Sequence, residues 1–275
     1  MRTLTPEQNR IALEKVVTLN RKPDELFDLL AGLADFDNEA NKKAKYLGIG
    51  CGFLCVFAVI LIFVLNNVEG NTPKILLAIV IIAAIIVGII RSKILAFDVS
   101  DDLRRFVIPV LSLLREDVDP EQPIKLRLDL TPSTDSAHLK SEGPAKGVYG
   151  NVQEYQYQHP WVDCETILAD GNRLRWSVVD NIRKRVRKKR KSTKTKIKRK
   201  TVIDVELRSR EKKYGVLAEE AFNPSSYETR EKGSSIALRN VVISTSLDPL
   251  DPQALMSVIL AAYARLQPLK KGGVA

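Results

Sequence analysis

Only two histidines and three cysteines occur among the 275 residues. Three cysteines are too few for a disulfide scaffold, and two histidines leave little for a histidine-rich metal centre. Aromatic residues are also scarce, at 6%. No GxxxxGK[ST], HExxH or CxxC motif is present, so no common phosphate-loop, zinc-protease or redox signature names a reaction. Charge is absent from two long stretches, Tyr46–Leu65 (twenty residues) and Ile75–Ile90 (sixteen residues). Acidic residues are absent from a third, residues 183–200, RKRVRKKRKSTKTKIKRK, where thirteen of eighteen positions are Lys or Arg.

These gaps change the meaning of the averages. The net charge is +10 and the pI about 9.5. Without residues 183–200 the chain holds 30 basic and 33 acidic residues, a net of −3. The basicity therefore belongs to one element. Likewise, much of the 45% hydrophobic content lies in the two uncharged stretches.

At about 1.5 Å per residue, the first stretch makes a helix of roughly 30 Å, the thickness of a bilayer core. The second reaches about 24 Å and gains length from its flanks, with Lys74 and Arg91 snorkelling to the interfaces. The nine-residue connection NNVEGNTPK carries turn residues, which predicts an antiparallel transmembrane hairpin. Lys42, Lys43 and Lys45 precede it, and Arg91 and Lys93 follow. The positive-inside rule puts both termini in the cytoplasm, in the cell (inner) membrane. The first stretch is long and lacks a cleavage site, so it reads as an anchor and not a signal peptide. Gly48 and Gly52 on the first span, and Ala84 and Gly88 on the second, are small residues four apart. They predict a close helix–helix contact within the hairpin, or a homodimer face. Neither span holds an ionisable residue other than cysteine and tyrosine, which argues against an ion or proton pathway.

Before the hairpin, residues 1–45 form an amphipathic helical region. Thr5-Pro6-Glu7-Gln8 has the form of a capping box, opening a helix expected to reach about Leu19. Pro23-Asp24-Glu25 opens a second helix. After it, residues 91–120 contain an amphipathic helix from Ser100 to about Arg115, with Pro109 expected to kink it. Asp98, Asp101 and Asp102 cluster at its start, as helix-dipole electrostatics favours. Residues 121–275 then read as a cytoplasmic domain. Alternation marks strands at Ile124–Leu130, Val162–Leu168, Leu174–Val178, Thr201–Leu207 and Ser235–Thr245. Asp170-Gly171 is a hairpin turn, and Asp251-Pro252 starts a helix to about Gln267. Residues 131–160, rich in Ser, Pro, Gly, Gln and Tyr, read as a loop. The fold class is α+β: a two-helix transmembrane hairpin plus a mainly antiparallel sheet, flanking helices and a protruding basic β-hairpin.

That hairpin is expected to turn near Ser192-Thr193. Its cations are Arg183, Lys184, Arg185, Arg187, Lys188, Lys189, Arg190, Lys191, Lys194, Lys196, Lys198, Arg199 and Lys200. Anionic lipid headgroups are the leading partner, because the domain is tethered to a membrane. Nucleic acid is the second, although the run has no aromatic residue for base stacking. An acidic partner protein, or a plainly solvated face, is the third. The expected function is binding or scaffolding, with no catalytic residue, metal or cofactor assigned. An enzyme would need a site assembled from scattered residues. A Cys164–His159 pair is the one nucleophile arrangement on offer, and alternation puts Cys164 on the buried face. Tyr155, Tyr157 and Trp161 around His159 form either an aromatic patch or part of the core.

Overall fold

The computed structural model describes residues 3–65, 72–97, 99–145, 152–189, 192–209, 214–216, 228–232 and 235–268. It is an α+β protein in which every strand pairing is antiparallel. Packing divides the chain into two compact units. One comprises Met1–Glu14 and Gly32–Val99, the other Lys15–Ala31 and Ser100–Ala275.

The first unit is helical. Helix α1 (Pro6–Glu14) starts with the expected capping box. Thr5 N–H donates to Gln8 Oε1 (3.0 Å) and Gln8 N–H to Thr5 Oγ1 (3.2 Å), which satisfies two backbone donors without a helical partner. Helix α2 (Pro23–Leu65) runs unbroken from the second predicted helix through the first apolar stretch. No Gly or Pro pair interrupts residues 34–46, so nothing separates an amphipathic helix from a span. Helix α3 (Thr72–Ala96) holds the second stretch. Near its end, Asp37 of α2 is buried and accepts from Val99 N–H (2.9 Å) and Asn41 Nδ2 (3.1 Å). Phe36 meets Phe97 edge-on at 6.4 Å.

Both helices are long and apolar enough to cross a membrane, with mean hydropathies of 2.6 and 2.9 over windows that are 0% and 6% buried. Tyr46 and Phe53 are each 73% exposed. A core helix of a water-soluble protein would bury such a surface. Lipid is the solvent that suits it.

The second unit is built on a sheet of order β1-β2-β4-β5-β6-β9-β8, with β3 also paired to β4. The strands are β1 (Val16–Arg21), β2 (Ile124–Asp129), β3 (Leu139–Pro144), β4 (Val152–Ile167), β5 (Arg173–Lys188), β6 (Thr193–Arg208), β8 (Glu228–Lys232) and β9 (Ser235–Ser244). A short pair, β7 (Tyr214–Val216) with β10 (Leu266–Pro268), lies apart from it. Helix α4 (Ile108–Leu114) and helix α5 (Pro252–Ala264) complete the unit.

Three expectations are corrected. The first helix stops at Glu14, and residues 16–21 form β1 against β2. Val16, Val17 and Thr18 are β-branched and favour a strand, and Lys15 makes the break at φ 59°. Residues 131–160 are not one loop: β3 and half of β4 lie there, their alternation hidden by polar side chains on both faces. The helix after Ser100 contains a π turn, Leu103–Val107, closed by the Ile108 N–H donating to Leu103 O. It immediately precedes Pro109, whose ring crowds the preceding turn and whose nitrogen has no proton to donate.

Even-numbered residues of β5 and odd-numbered residues of β6 face inward. Leu174, Trp176, Val178, Ile203, Val205 and Leu207 are buried there. Against them pack Leu103, Phe106 and Val110 near α4, and Leu255, Val258 and Ile259 of α5. Phe106 sits at the centre, edge-on to Trp161 (5.2 Å) and Trp176 (6.2 Å). Phe106→Ala should lower unfolding free energy by about 3–5 kcal/mol. A denaturant titration of the detergent-solubilised protein checks this, and a loss near zero would displace Phe106 from the core.

Candidate polyanion surface and a buried polar cluster

β5 and β6 pair without a slip from Arg173↔Arg208 to Lys188↔Thr193. Lys189 N–H donates to Ser192 O (2.8 Å), so the strands reverse between these residues, about two positions before the expected turn. Arg190 and Lys191 lie outside the described residues.

The register sorts the basic run by face. Arg183 stands opposite Lys198, Arg185 opposite Lys196, and Arg187 opposite Lys194; Lys200 stands opposite Asn181. Seven cations thus share the outer face in two facing columns. The other face alternates charge with smaller or apolar residues: Ile182, Lys184, Val186 and Lys188 on β5, and Thr193, Thr195, Ile197 and Arg199 on β6. Like charges directly across a ladder repel. Among the described residues, Arg185 is the one of these seven in an ion pair, with Glu154 at 2.6 Å. Hydrogen bonds from Arg185, then Gln156, hold the Glu154 carboxyl below its usual range. Arg187, Lys194, Lys196, Lys198 and Lys200 have no acidic partner among the described residues. Lys140, Gln156, Gln158, Asn181, Arg183, Lys198 and Lys200 line an open groove of about 440 Å³. Cations there supply charge, and the three amides supply donors for anionic oxygens. Gln156, Gln158 and Lys140 escaped sequence reading because they sit on β3 and β4, within the stretch read as a loop.

No family model, curated protein or solved structure matches this chain. The functional reading therefore rests on the chain's own geometry.

Three expected cations are not on this outer face: Lys184 and Lys188 stand on the other face of the ribbon, and so does Arg199. Arg199 faces inward and is buried, its Nε and Nη2 donating to Asp180 at 2.8 and 2.6 Å and its Nη1 to Asp248 O at 2.6 Å. Thr201 Oγ1 also donates to Asp180, at 2.6 Å. Residue parity decides this, because 199 is odd in β6. Its charge is consumed by Asp180 and is unavailable to a ligand.

The glycine positions are only partly brought together. Gly48 lies against Arg91, whose Nε would stand 3.2 Å from an added Cβ, and Cys51 Sγ contacts Ala84 O at 3.9 Å. Gly52 and Gly88 have no heavy atom within 4 Å of an added Cβ. The close approach expected of all four residues is absent at those two among the described residues.

The Cys164–His159 pair does not assemble. Cys164 pairs with Trp176, and His159 with Asp180, four positions along β5, or about 13 Å. Burial, first, then neighbouring Asp163 and Glu165, push the Cys164 thiol well above its usual range, the opposite of an activated thiolate. Asp163 instead binds exposed Arg175 through two bonds, at 2.8 and 3.3 Å. Trp161 is core, and Tyr155 and Tyr157 are half-buried on β4.

At the far end of the inner face is a second group of buried polar residues. β4 carries a bulge between Pro160 and Val162. The extra residue lets His159, Trp161 and Val162 all point inward. Asp129 ends β2. His138 closes a 3-10 turn, Ser136–His138, whose cap Asp135 accepts from Ala137 N–H. The two imidazoles lie 4.0 Å apart, tilted by 31°. Asp129 Oδ1 is 3.4 Å from His159 Nε2, and its Oδ2 is 3.7 Å from His138 Nε2. Thr131 Oγ1 bridges Asp129 Oδ1 and His138 Nε2, the latter at 2.7 Å. Burial, then the neighbouring His138, lower the His159 pKa against the opposing pull of Asp129. Burial thus favours its neutral form.

Asp101 and Asp102 separate in the fold, and Asp98 lies outside the described residues. Asp101 pairs with Arg104 at 2.7 Å. Asp102 accepts from Ser100 Oγ at 2.8 Å, while its Oδ1 is buried without a hydrogen-bond partner. Burial raises its pKa most, against the lowering effects of Ser100 and Arg199.

Two outcomes follow. Arg199→Ala leaves Asp180 buried and unpaired, and should cost about 3–5 kcal/mol, whereas exposed Lys198→Ala should cost under about 0.5 kcal/mol; denaturant titrations of both variants compare them. For Asp102, a folded pKa above the unfolded value (about 3.9) means that the unfolded chain releases this proton first. Its contribution to stability falls as pH rises through the interval between the two values. Asp102→Asn should remove that fall, and parallel wild-type and variant stability–pH curves would refute it.

Proposed function

We propose that this chain is a two-pass integral membrane protein of binding or scaffold type. Both termini face the cytoplasm, and its polybasic β5–β6 ribbon contacts anionic lipid headgroups. The observation that carries this reading is the sorting of seven cations onto one ribbon face, five without an acidic partner among the described residues. A polycationic surface gains about 1 kcal/mol per Lys or Arg near an anionic membrane, decaying within a Debye length. The two apolar helices keep the ribbon in the neighbourhood of lipid. Lipid is favoured over nucleic acid because the ribbon's outer face carries no aromatic residue on which a base could stack.

The test uses the full chain in nanodiscs, since a fragment starting at residue 98 would lose β1 from the sheet edge. Lysine labelling by an amine-reactive reagent should fall at Lys194, Lys196 and Lys198 when phosphatidylserine replaces neutral lipid. Added salt should restore it. Equal labelling in both nanodiscs at low salt overturns the lipid reading. Protection by an added oligonucleotide in neutral discs, without protection by anionic lipid, transfers the surface to nucleic acid.

A further inference from the structure

Asp129, His138 and His159 come from three places in the chain, the end of β2, a 3-10 turn and the bulge of β4. All three are buried, and their nearest donor atoms lie within 4.8 Å of one another. Both imidazole nitrogens of His159 are inaccessible and have no hydrogen-bond partner, although the residue is only 3% exposed. An imidazole hidden in this way forfeits the hydrogen bonds it would make in water, at a cost of about 1–3 kcal/mol. A direct hydrogen bond to Asp129 would relieve this, yet 3.4 Å is long for one. Asp180, across the ladder from His159, is already taken by Arg199 and Thr201.

We propose that Asp129, His138 and His159 form a binding site for a single divalent transition-metal ion of the zinc class. Two neutral imidazoles and one carboxylate are a donor set that such ions take. A tetrahedral ion with bonds of about 2.1 Å holds neighbouring donors about 3.4 Å apart. The Asp129 Oδ1–His159 Nε2 separation of 3.4 Å matches, the Asp129 Oδ2–His138 Nε2 separation of 3.7 Å is slightly longer, and the donors, which lie within 4.8 Å of one another, contract around a bound ion. Thr131 Oγ1 is the next oxygen, bonded to Asp129 and to His138 Nε2, and the second bond is given up when that nitrogen takes the ion. This hydroxyl stands as the outer partner that orients the carboxylate. The ion would satisfy His159, neutralise the buried Asp129 carboxylate, and tie the end of β2 to the bulge of β4. Its burial makes the role structural: the site fastens the fold, and no reaction is assigned to it.

The experiment titrates the full-length, detergent-solubilised chain, without a polyhistidine tag and after chelator treatment, with Zn2+ and with Co2+. The expected result is one ion per chain, a Co2+ ligand-field spectrum of nitrogen and oxygen donors, and a higher melting temperature with Zn2+. His159→Gln and Asp129→Asn should each weaken binding by at least tenfold, while Asp163→Asn and Cys51→Ser leave it unchanged. No stoichiometric uptake by the wild-type chain, or undiminished uptake by folded His159→Gln, overturns the site and leaves a buried histidine pair. If both variants fail to fold, the wild-type titration decides: a melting temperature unmoved by Zn2+ refutes the proposal. The outcome is independent of the labelling experiment on the basic ribbon.

Discussion

A β-strand turns successive side chains to opposite faces, and β5 and β6 keep that alternation unbroken through sixteen residues each. The consequence is a single ribbon with two chemistries along its length. At one end, inward residues such as Trp176 and Val205 make the core. At the other, outward residues from Arg183 to Lys200 make a cationic face. A one-residue slip would bury the lysines and expose the tryptophan. Core burial at one end therefore holds the register that arrays charge at the other, where mutual repulsion would otherwise loosen the pairing.

Where polar groups do enter the interior, the structure satisfies most of them. Asp180 accepts three bonds and Arg199 fills both ends of its guanidinium. The exceptions among the described residues include Thr166 Oγ1, the indole nitrogens of Trp161 and Trp176, and two ionisable cases, Asp102 Oδ1 and the His159 ring. Buried groups of this kind weaken a fold unless something compensates them, and the two cases differ. Burial shifts Asp102 toward its protonated form, which lessens the cost. A neutral imidazole has no such recourse and needs a donor, an acceptor or an ion.

The helical unit, whose two apolar helices are long enough to cross a membrane, obeys a different rule. In lipid such helices need not pack tightly, because lipid is as apolar as their side chains. Among the described residues an added Cβ at Gly52 or Gly88 meets open space, whereas buried Asp37 makes two directed hydrogen bonds.

Local patterns were enough to reveal the two apolar helices, the capping box at Thr5–Gln8, the Asp170-Gly171 turn and the strands that flank the basic run. Each depends on neighbours in sequence: an uncharged stretch, a four-residue motif, a period of two. The β1 strand and the first half of β4 were obscured. In the former, β-branched residues followed a helical signal directly; in the latter, both faces are polar. Only tertiary structure decided which cations stay on the surface. Arg199 reads as one more member of a basic run, and its capture by Asp180 depends on strand pairing across nineteen residues. The same holds for Asp129, His138 and His159. Nothing in their spacing joins them, because a bulge and a turn, not a motif, bring their side chains into one buried space.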